Sequence, residues 1–223
     1  MLMIWPLLLP RRWALGCFSG SVKSLRLLMT LYLIQKKSHL LIIRPKIMKN
    51  IEFPSFLLNG EKIEECEKVL YLGHIIRNDL TDDEDILRQR RFIFARGNAL
   101  LRKFNVCSIE VKLELFRAYF SNIYCCQLWW NYSCSAMAKF QTSYHNVLKL
   151  FLGLSKFEST SQTCAAASVP SCGCIIRRMY FKFWSRLMKC QNCFVSSVFG
   201  SSLVYKSRIH RHWRKSLYVM YMA

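Results

Sequence analysis

From Asp82 onward the apolar residues recur at a helical period. Ile86/Leu87, Ile93/Phe94, Leu100/Leu101 and Phe104 follow heptad spacing and predict one buried face. Gly97 lies on that side, where a small residue lets another helix approach; Arg88, Arg91 and Arg102 form a polar stripe opposite. A second helix is predicted after Ser108, running to about Trp130 and burying Val111, Leu115, Tyr119, Ile123 and Cys126. A third starts after Ser135, carries Phe140, Tyr144, Val147 and Phe151 inward, and stops near Gly153. A Ser/Thr-rich loop (155–163) follows, then a short helix within 164–169, ahead of Pro170. A fourth long helix covers about 174–189 with Ile176, Met179, Phe183 and Leu187 facing inward, and 203–222 also has helical character.

Before Asp82 the pattern is that of short strands: Leu40–Arg44, Phe56–Leu58, Lys62–Ile63 and Val69–Ile76. Asn59-Gly60 between apolar runs is a hairpin signal. Gly73 marks a bulge or close backbone approach, and Arg77-Asn78-Asp79 a turn. Thr81 reads as a helix N-cap with Glu84 completing a capping box, and Asp82, Asp83 and Asp85 face the positive end of the helix dipole. The expected fold is α+β and predominantly α: a small antiparallel β-hairpin followed by a helical bundle. Four segments result, an apolar and basic 1–37, a β-hairpin region 38–81, a helical region 82–195 and a basic tail 196–223.

Charge sharpens this picture. The chain is 52% hydrophobic yet carries a net charge of +20. Such an excess self-repels unless a polyanion or an anionic surface offsets it, so nucleic acid and membrane are the two partner classes. No acidic residue precedes Glu52 and none follows Glu158. The runs Leu2–Leu9 and Leu25–Ile34 are each shorter than the roughly 18 apolar residues a bilayer span takes, which leaves membrane contact by residues 1–34 as surface contact. Arg11 and Arg12 follow the first apolar run, the reverse of a signal peptide, while an acid-free, Arg-containing start also fits a mitochondrial presequence. Eleven cysteines, an odd number, suit free thiols in a reducing compartment, the nucleus or cytoplasm.

Several stretches together resemble a known family. Val69 to Asp85 (VLYLGHIIRNDLTDDED) is similar to the YLG element of non-LTR, LINE-type retrotransposon reverse transcriptases, particularly the RTE-like branch. Arg96-Gly97-Asn98 with Leu100–Phe104, Phe151-Leu152-Gly153-Leu154 and Val169-Pro170-Ser171-Cys172 fit the same pattern. Tyr124-Cys125-Cys126-Gln127-Leu128-Trp129 resembles that family's Y-G-C-x-L-W run, with Cys125 in the glycine position. The likeness runs from about residue 38 to about 187. It implies a palm edge leading into a helical, thumb-like region that lies beside a primer–template, and it leaves 1–37 as an unrelated segment. The family is an RNA-directed DNA polymerase whose metal-holding aspartates lie upstream of the YLG element. Here Asp79 is the first aspartate in the chain. The resemblance therefore implies a truncated relative without polymerase activity, which keeps at most the portion that holds RNA or RNA–DNA hybrid.

Leu80-Thr81-Asp82-Asp83 looks like a catalytic pair but lacks the family's aromatic residue and is explained as a helix start. Cys172-x-Cys174 and Cys190-x-x-Cys193 have zinc-ligand spacing, while the helical pattern between them would hold the pairs roughly 20 Å or more apart, which favours ordinary thiols. His74, His145, His210 and His212 have no partners at nucleophile or metal spacing, and His145 reads as a hydrogen-bonded boundary residue. No cofactor signature and no small-molecule substrate is indicated. The lead that remains is basic: Arg178, Lys182 and Arg186 at i, i+4, i+8, beside Phe181 and Trp184, then Lys206, Arg208, Arg211, Arg214 and Lys215 around Trp213, with His210 and His212 among them. Cations beside aromatics suit phosphate contacts and base stacking.

Overall fold

The computed structural model describes residues 39–43, 55–58 and 60–221; the segment 1–37, with its membrane and presequence readings, lies outside the described residues. The fold is mostly helical with a small antiparallel hairpin, and the chain divides into two compact units after Val69.

In the first unit β1 (Leu57–Leu58) pairs antiparallel with β2 (Glu61–Lys62), joined through Gly60 at φ +87°. The expected strand at Leu40 contributes a single parallel bridge to Glu65. The expected single strand Val69–Ile76 is in fact two, β3 (Lys68–Tyr71) and β4 (His74–Arg77), paired with one another. Leu72 (φ +46°) and Gly73 (φ +75°) fold the chain back. Two successive positive φ angles match the right-handed twist of a tight hairpin. The carbonyls of this turn are taken up: Tyr124 donates its hydroxyl to Leu72 O at 2.5 Å, and Arg88 Nη2 donates to Gly73 O at 2.5 Å. A Cβ at Gly73 would sit 3.0 Å from the Tyr124 ring, so the close approach expected at this glycine is real.

The helices of the second unit are α1 (Asp83–Phe104), α2 (Ile109–Phe120), α3 (Cys134–Phe151), α4 (Thr160–Ala166), α5 (Cys172–Met188), α6 (Cys193–Gly200), α7 (Ser202–Lys206) and α8 (Arg208–Tyr221). In α1 one member of each apolar pair is buried, Ile86, Ile93 and Leu100, while Leu87 and Phe94 are exposed. Gly97 completes the face, and α1 packs on α3 there: a Cβ at Gly97 would come within 2.8 Å of Val147 Cγ1. Phe140, Tyr144, Val147 and Phe151 of α3 are all buried, as their spacing predicts. Phe116 and Phe120 stack at 4.6 Å and meet Phe151 edge-on at 5.6 and 5.9 Å.

The second helix is shorter than its apolar pattern suggests. It ends at Phe120, and Val111 and Tyr119 are exposed while Phe116 and Phe120 fill the core. Ile123 and Cys126 are buried from an irregular stretch with a 3₁₀ turn at Cys126–Leu128. Cys125 sits at φ +59°, in the left-handed region that stops an α-helix. The amide groups of Trp130, Asn131 and Ser133 then bond carboxylates of the α1 start instead of helical carbonyls.

Adding bulk at Gly97 should separate α1 from α3. Gly97→Leu is expected to lower stability by about 1–3 kcal/mol in a urea titration, from overpacking against a stiff valine. Val147→Ala in the same chain should return part of that loss, and simple additivity of the two would refute the contact.

Candidate nucleic-acid interface

The acidic run at the start of α1 is fully committed to structure. Its cap is Asp82, one residue later than expected, and the Asp82 side chain makes no cap bond; Thr81 donates its hydroxyl to Asp79 Oδ1 at 2.7 Å, and Glu84 receives Arg77 Nη1 at 3.0 Å. Asp82 Oδ2 instead accepts from the backbone N–H groups of Trp130 and Asn131, both at 2.8 Å, and Asp83 Oδ1 accepts from Ser133 N at 2.7 Å. These bonds cross some fifty residues of chain and clamp the irregular stretch onto the helix start. Burial raises the Asp82 carboxyl above its ordinary range, against the pull of those two amides.

Asp85 lies deepest, with 0% exposure. Its Oδ2 accepts from Trp129 Nε1 at 2.8 Å and lies 3.0 Å from His74 Nδ1; its Oδ1 accepts from Arg88 Nε at 2.9 Å and Ile75 N at 3.1 Å. An ionised carboxylate only accepts, so Nδ1 is the protonated nitrogen of His74. Burial pushes the Asp85 carboxyl up, but the hydrogen bonds of His74, Trp129, Arg88 and Ile75 outweigh it and hold it at about 2. His74 thus has a buried partner that spacing along the chain did not reveal. Arg88, of the polar stripe with Arg91 and Arg102, is drawn into this cluster while the other two stay exposed. His145 is a hydrogen-bonded boundary residue as read: its Nε2 accepts from Cys172 N at 3.3 Å.

The four cysteines with zinc-like spacing are not brought together. Cys172 and Cys174 open α5, and Cys190 and Cys193 lie beyond its far end, with 17 helical residues between the two ends. Among the described residues no group of three or more His, Cys, Asp or Glu is placed to hold a metal ion. Cys172 is buried, which lifts its thiol to about 12, and Cys126 packs in the core.

Besides pairing with carboxylates, the basic residues include two sets, which share Arg178. Some close off the carbonyl ends of helices: Arg96 Nη1 donates to Tyr119 O at 2.6 Å and Arg178 Nη2 to Ser121 O at 3.2 Å, both at the C-terminus of α2, and Arg117 Nη2 donates to Ala167 O at 2.9 Å, past α4. Cations there complement the helix dipole. The others are surface charges: Lys182 and Arg186 on α5, Lys206 on α7, and Arg208, Arg211 and Arg214 on α8 are exposed, as is Arg178 beyond its single bond. Arg186 lies 6.0 Å over the Phe183 ring. Lys215 lies on α8, too.

The aromatic residues expected to stack on bases are placed differently. Trp213 is 5% exposed and donates Nε1 to Gln127 O at 3.1 Å, so it is a core residue and not a stacking platform. Trp184 packs against Trp213 at 5.7 Å and His210 at 5.1 Å, and Phe183 against Trp213 at 5.5 Å; these rings join α5 to α8. His210 is buried with Nδ1 unbonded, and His212 Nε2 lies 3.2 Å from the Tyr180 hydroxyl. Among the described residues of this region the exposed rings include Phe194 and Tyr205, which spacing along the chain does not single out. Among the described residues no helix is long and apolar enough to cross a membrane. No protein-family model, curated protein or solved structure matches the chain.

The Asp85 cluster sets an acid limit. Its folded pKa lies below the ordinary 3.8, so the stability it supplies is complete above about pH 4 and is lost as the pH falls through about 2. Asp85→Asn leaves Arg88 and His74 without their anion and should cost about 3–5 kcal/mol near neutral pH. The gap between the wild-type and variant melting temperatures should narrow from pH 5 to pH 2; a constant gap would mean that the carboxylate charge contributes nothing.

Proposed function

We propose that this chain is a relative of the palm-edge and thumb region of LINE-type reverse transcriptases that holds RNA or RNA–DNA hybrid without sequence preference and performs no polymerase chemistry of its own. The observation that carries this reading is the exposed basic surface of α5 and α8. From Ser159 to the end the sequence has ten Lys and Arg residues and no Asp or Glu. A cationic surface that no acid on its own segment neutralises attracts phosphates and releases their counterions.

Two local features support the resemblance itself. The residue in the glycine position of the Y-G-C-x-L-W-like run, Cys125, adopts φ +59°, a conformation that glycine takes without strain. The YLG-like turn and that run also bond to one another, through the Tyr124 hydroxyl on Leu72 O. Two stretches far apart in sequence, each similar to the same family, thus form one structural unit. Asp82 and Asp83, the aspartate pair of this chain, are engaged by backbone amides, which argues against a role in holding catalytic ions.

Binding should be weak at physiological salt and steep in its salt dependence, with log Kd rising by about 0.7–0.9 per log unit of salt for each phosphate contacted. Replacing Lys182, Arg186, Arg208 and Arg211 by Glu should weaken retention of a labelled RNA–DNA hybrid and flatten the salt slope together, with circular dichroism unchanged. Arg178 is left in place because of its bond to Ser121. Equal binding by variant and wild type would show this face to be merely solvated.

A further inference from the structure

An unassigned cleft lies where the end of α3 faces α1. It has a volume of about 350 Å³ and is lined by Phe94, Val147, Leu150 and Leu154 together with the polar Asn146, Lys149 and Lys156. Its walls are mostly apolar, and Phe94, Leu150 and Leu154 remain exposed to solvent. Lys149 is only 5% exposed. Its ammonium donates to two backbone carbonyls, Glu158 O at 2.7 Å and Lys156 O at 3.1 Å, and enters none of the described ion pairs. The Glu158 side chain is exposed and is in no described ion pair either.

A buried charge without a counter-ion is costly, and neutral carbonyl dipoles replace only part of its lost hydration. An ammonium has three N–H donors, and here two are engaged. The positive charge is felt one turn away, where burial first and Lys149 second pull His145 below its ordinary range. Lys156, exposed at the rim of the same cleft with its ammonium 4.9 Å over the Phe157 ring, adds a second cation. Cations set among Phe94, Leu150 and Leu154 complement a molecule with one negative group and an apolar remainder. The volume is near the lower end of the range of about 300–1,000 Å³ for small-molecule sites, which suits a ligand of medium length.

We propose that this cleft binds one anionic amphiphile per chain, its carboxylate neutralising Lys149 and Lys156 and its aliphatic tail covering Phe94, Leu150 and Leu154. The site is separate from the basic residues of α5 and α8, and it stands whether or not those residues hold nucleic acid.

Calorimetric titration of the full chain with decanoate, below its micelle-forming concentration, tests this. Saturable binding at one molecule per chain is expected, with decanol at least tenfold weaker because it has the tail without the charge. Inorganic phosphate at the same concentrations should not displace decanoate; displacement would reduce the cleft to a simple anion site and overturn the proposal. Lys149→Met should weaken decanoate at least tenfold. Since that variant also loses the bonds to the 156–158 loop, Leu154→Asp provides a second test: it leaves Lys149 bonded, places a negative charge in the cleft and should weaken decanoate to a similar degree. The variant with Lys182, Arg186, Arg208 and Arg211 changed to Glu should bind decanoate as wild type does. Loss of binding in that variant, or retention of it in Leu154→Asp, would assign the binding to general surface charge and overturn the proposal.

Discussion

The second unit depends on burying one carboxylate. Asp85 sits at the start of the longest described helix, out of contact with water, and takes hydrogen bonds from β4, from its own helix and from Trp129. A charge in that position is tolerable only when its donors are all in place. The constraint therefore runs outward. The β3–β4 turn must bring His74 and Ile75 close, and the stretch after α2 must abandon helical geometry to deliver the Trp129 indole. Asp82 and Asp83 reinforce this by holding the amides of Trp130, Asn131 and Ser133. A hairpin, a helix start and an irregular segment are thus set by one electrostatic requirement, while α1 and α3 pack together through their apolar faces.

Charge elsewhere follows a related economy. A chain with this much positive charge folds only if part of it does structural service. Arg88, Arg96, Arg117 and Arg178 bond main-chain carbonyls at a turn or at helix ends, where the oxygens have no helical partner. Lys149 does the same for the loop that follows α3, but from a buried position, and it enters none of the described ion pairs. The exposed cations of α5, α7 and α8 are one part of the basic excess that internal structure does not absorb. The functional reading rests on that part rather than on the net charge.

Much of the helical scaffold could be read from periodicity. The inward residues of α3, the small residue at Gly97 and the hairpin around Gly60 all appear as expected, because each follows from local repeat or backbone preference. The α2 face was misjudged since Val111, Leu115, Tyr119, Ile123 and Cys126 repeat at a helical interval by themselves. Periodicity cannot register that Cys125 is left-handed or that amides further on have carboxylate partners fifty residues away. Trp213 was misplaced for a similar reason. A tryptophan flanked by Arg211, His212, Arg214 and Lys215 looks exposed, yet at helical spacing one side of a strongly basic helix can still face a core.

By itself, then, the sequence determined what depends on neighbours along the chain: the helical period, the turn at Gly60, the absence of any aspartate before Asp79, and the acid-free basic stretch after Glu158. Only the tertiary structure decided which charges meet. His74, Arg88 and Trp129 converge on Asp85, Tyr124 closes over the Leu72 turn, and Lys149 is buried against the carbonyls of Lys156 and Glu158. A charged side chain has no preferred partner until packing removes the water that would otherwise solvate it. At that point geometry selects the partner, and separation along the sequence carries no information about it.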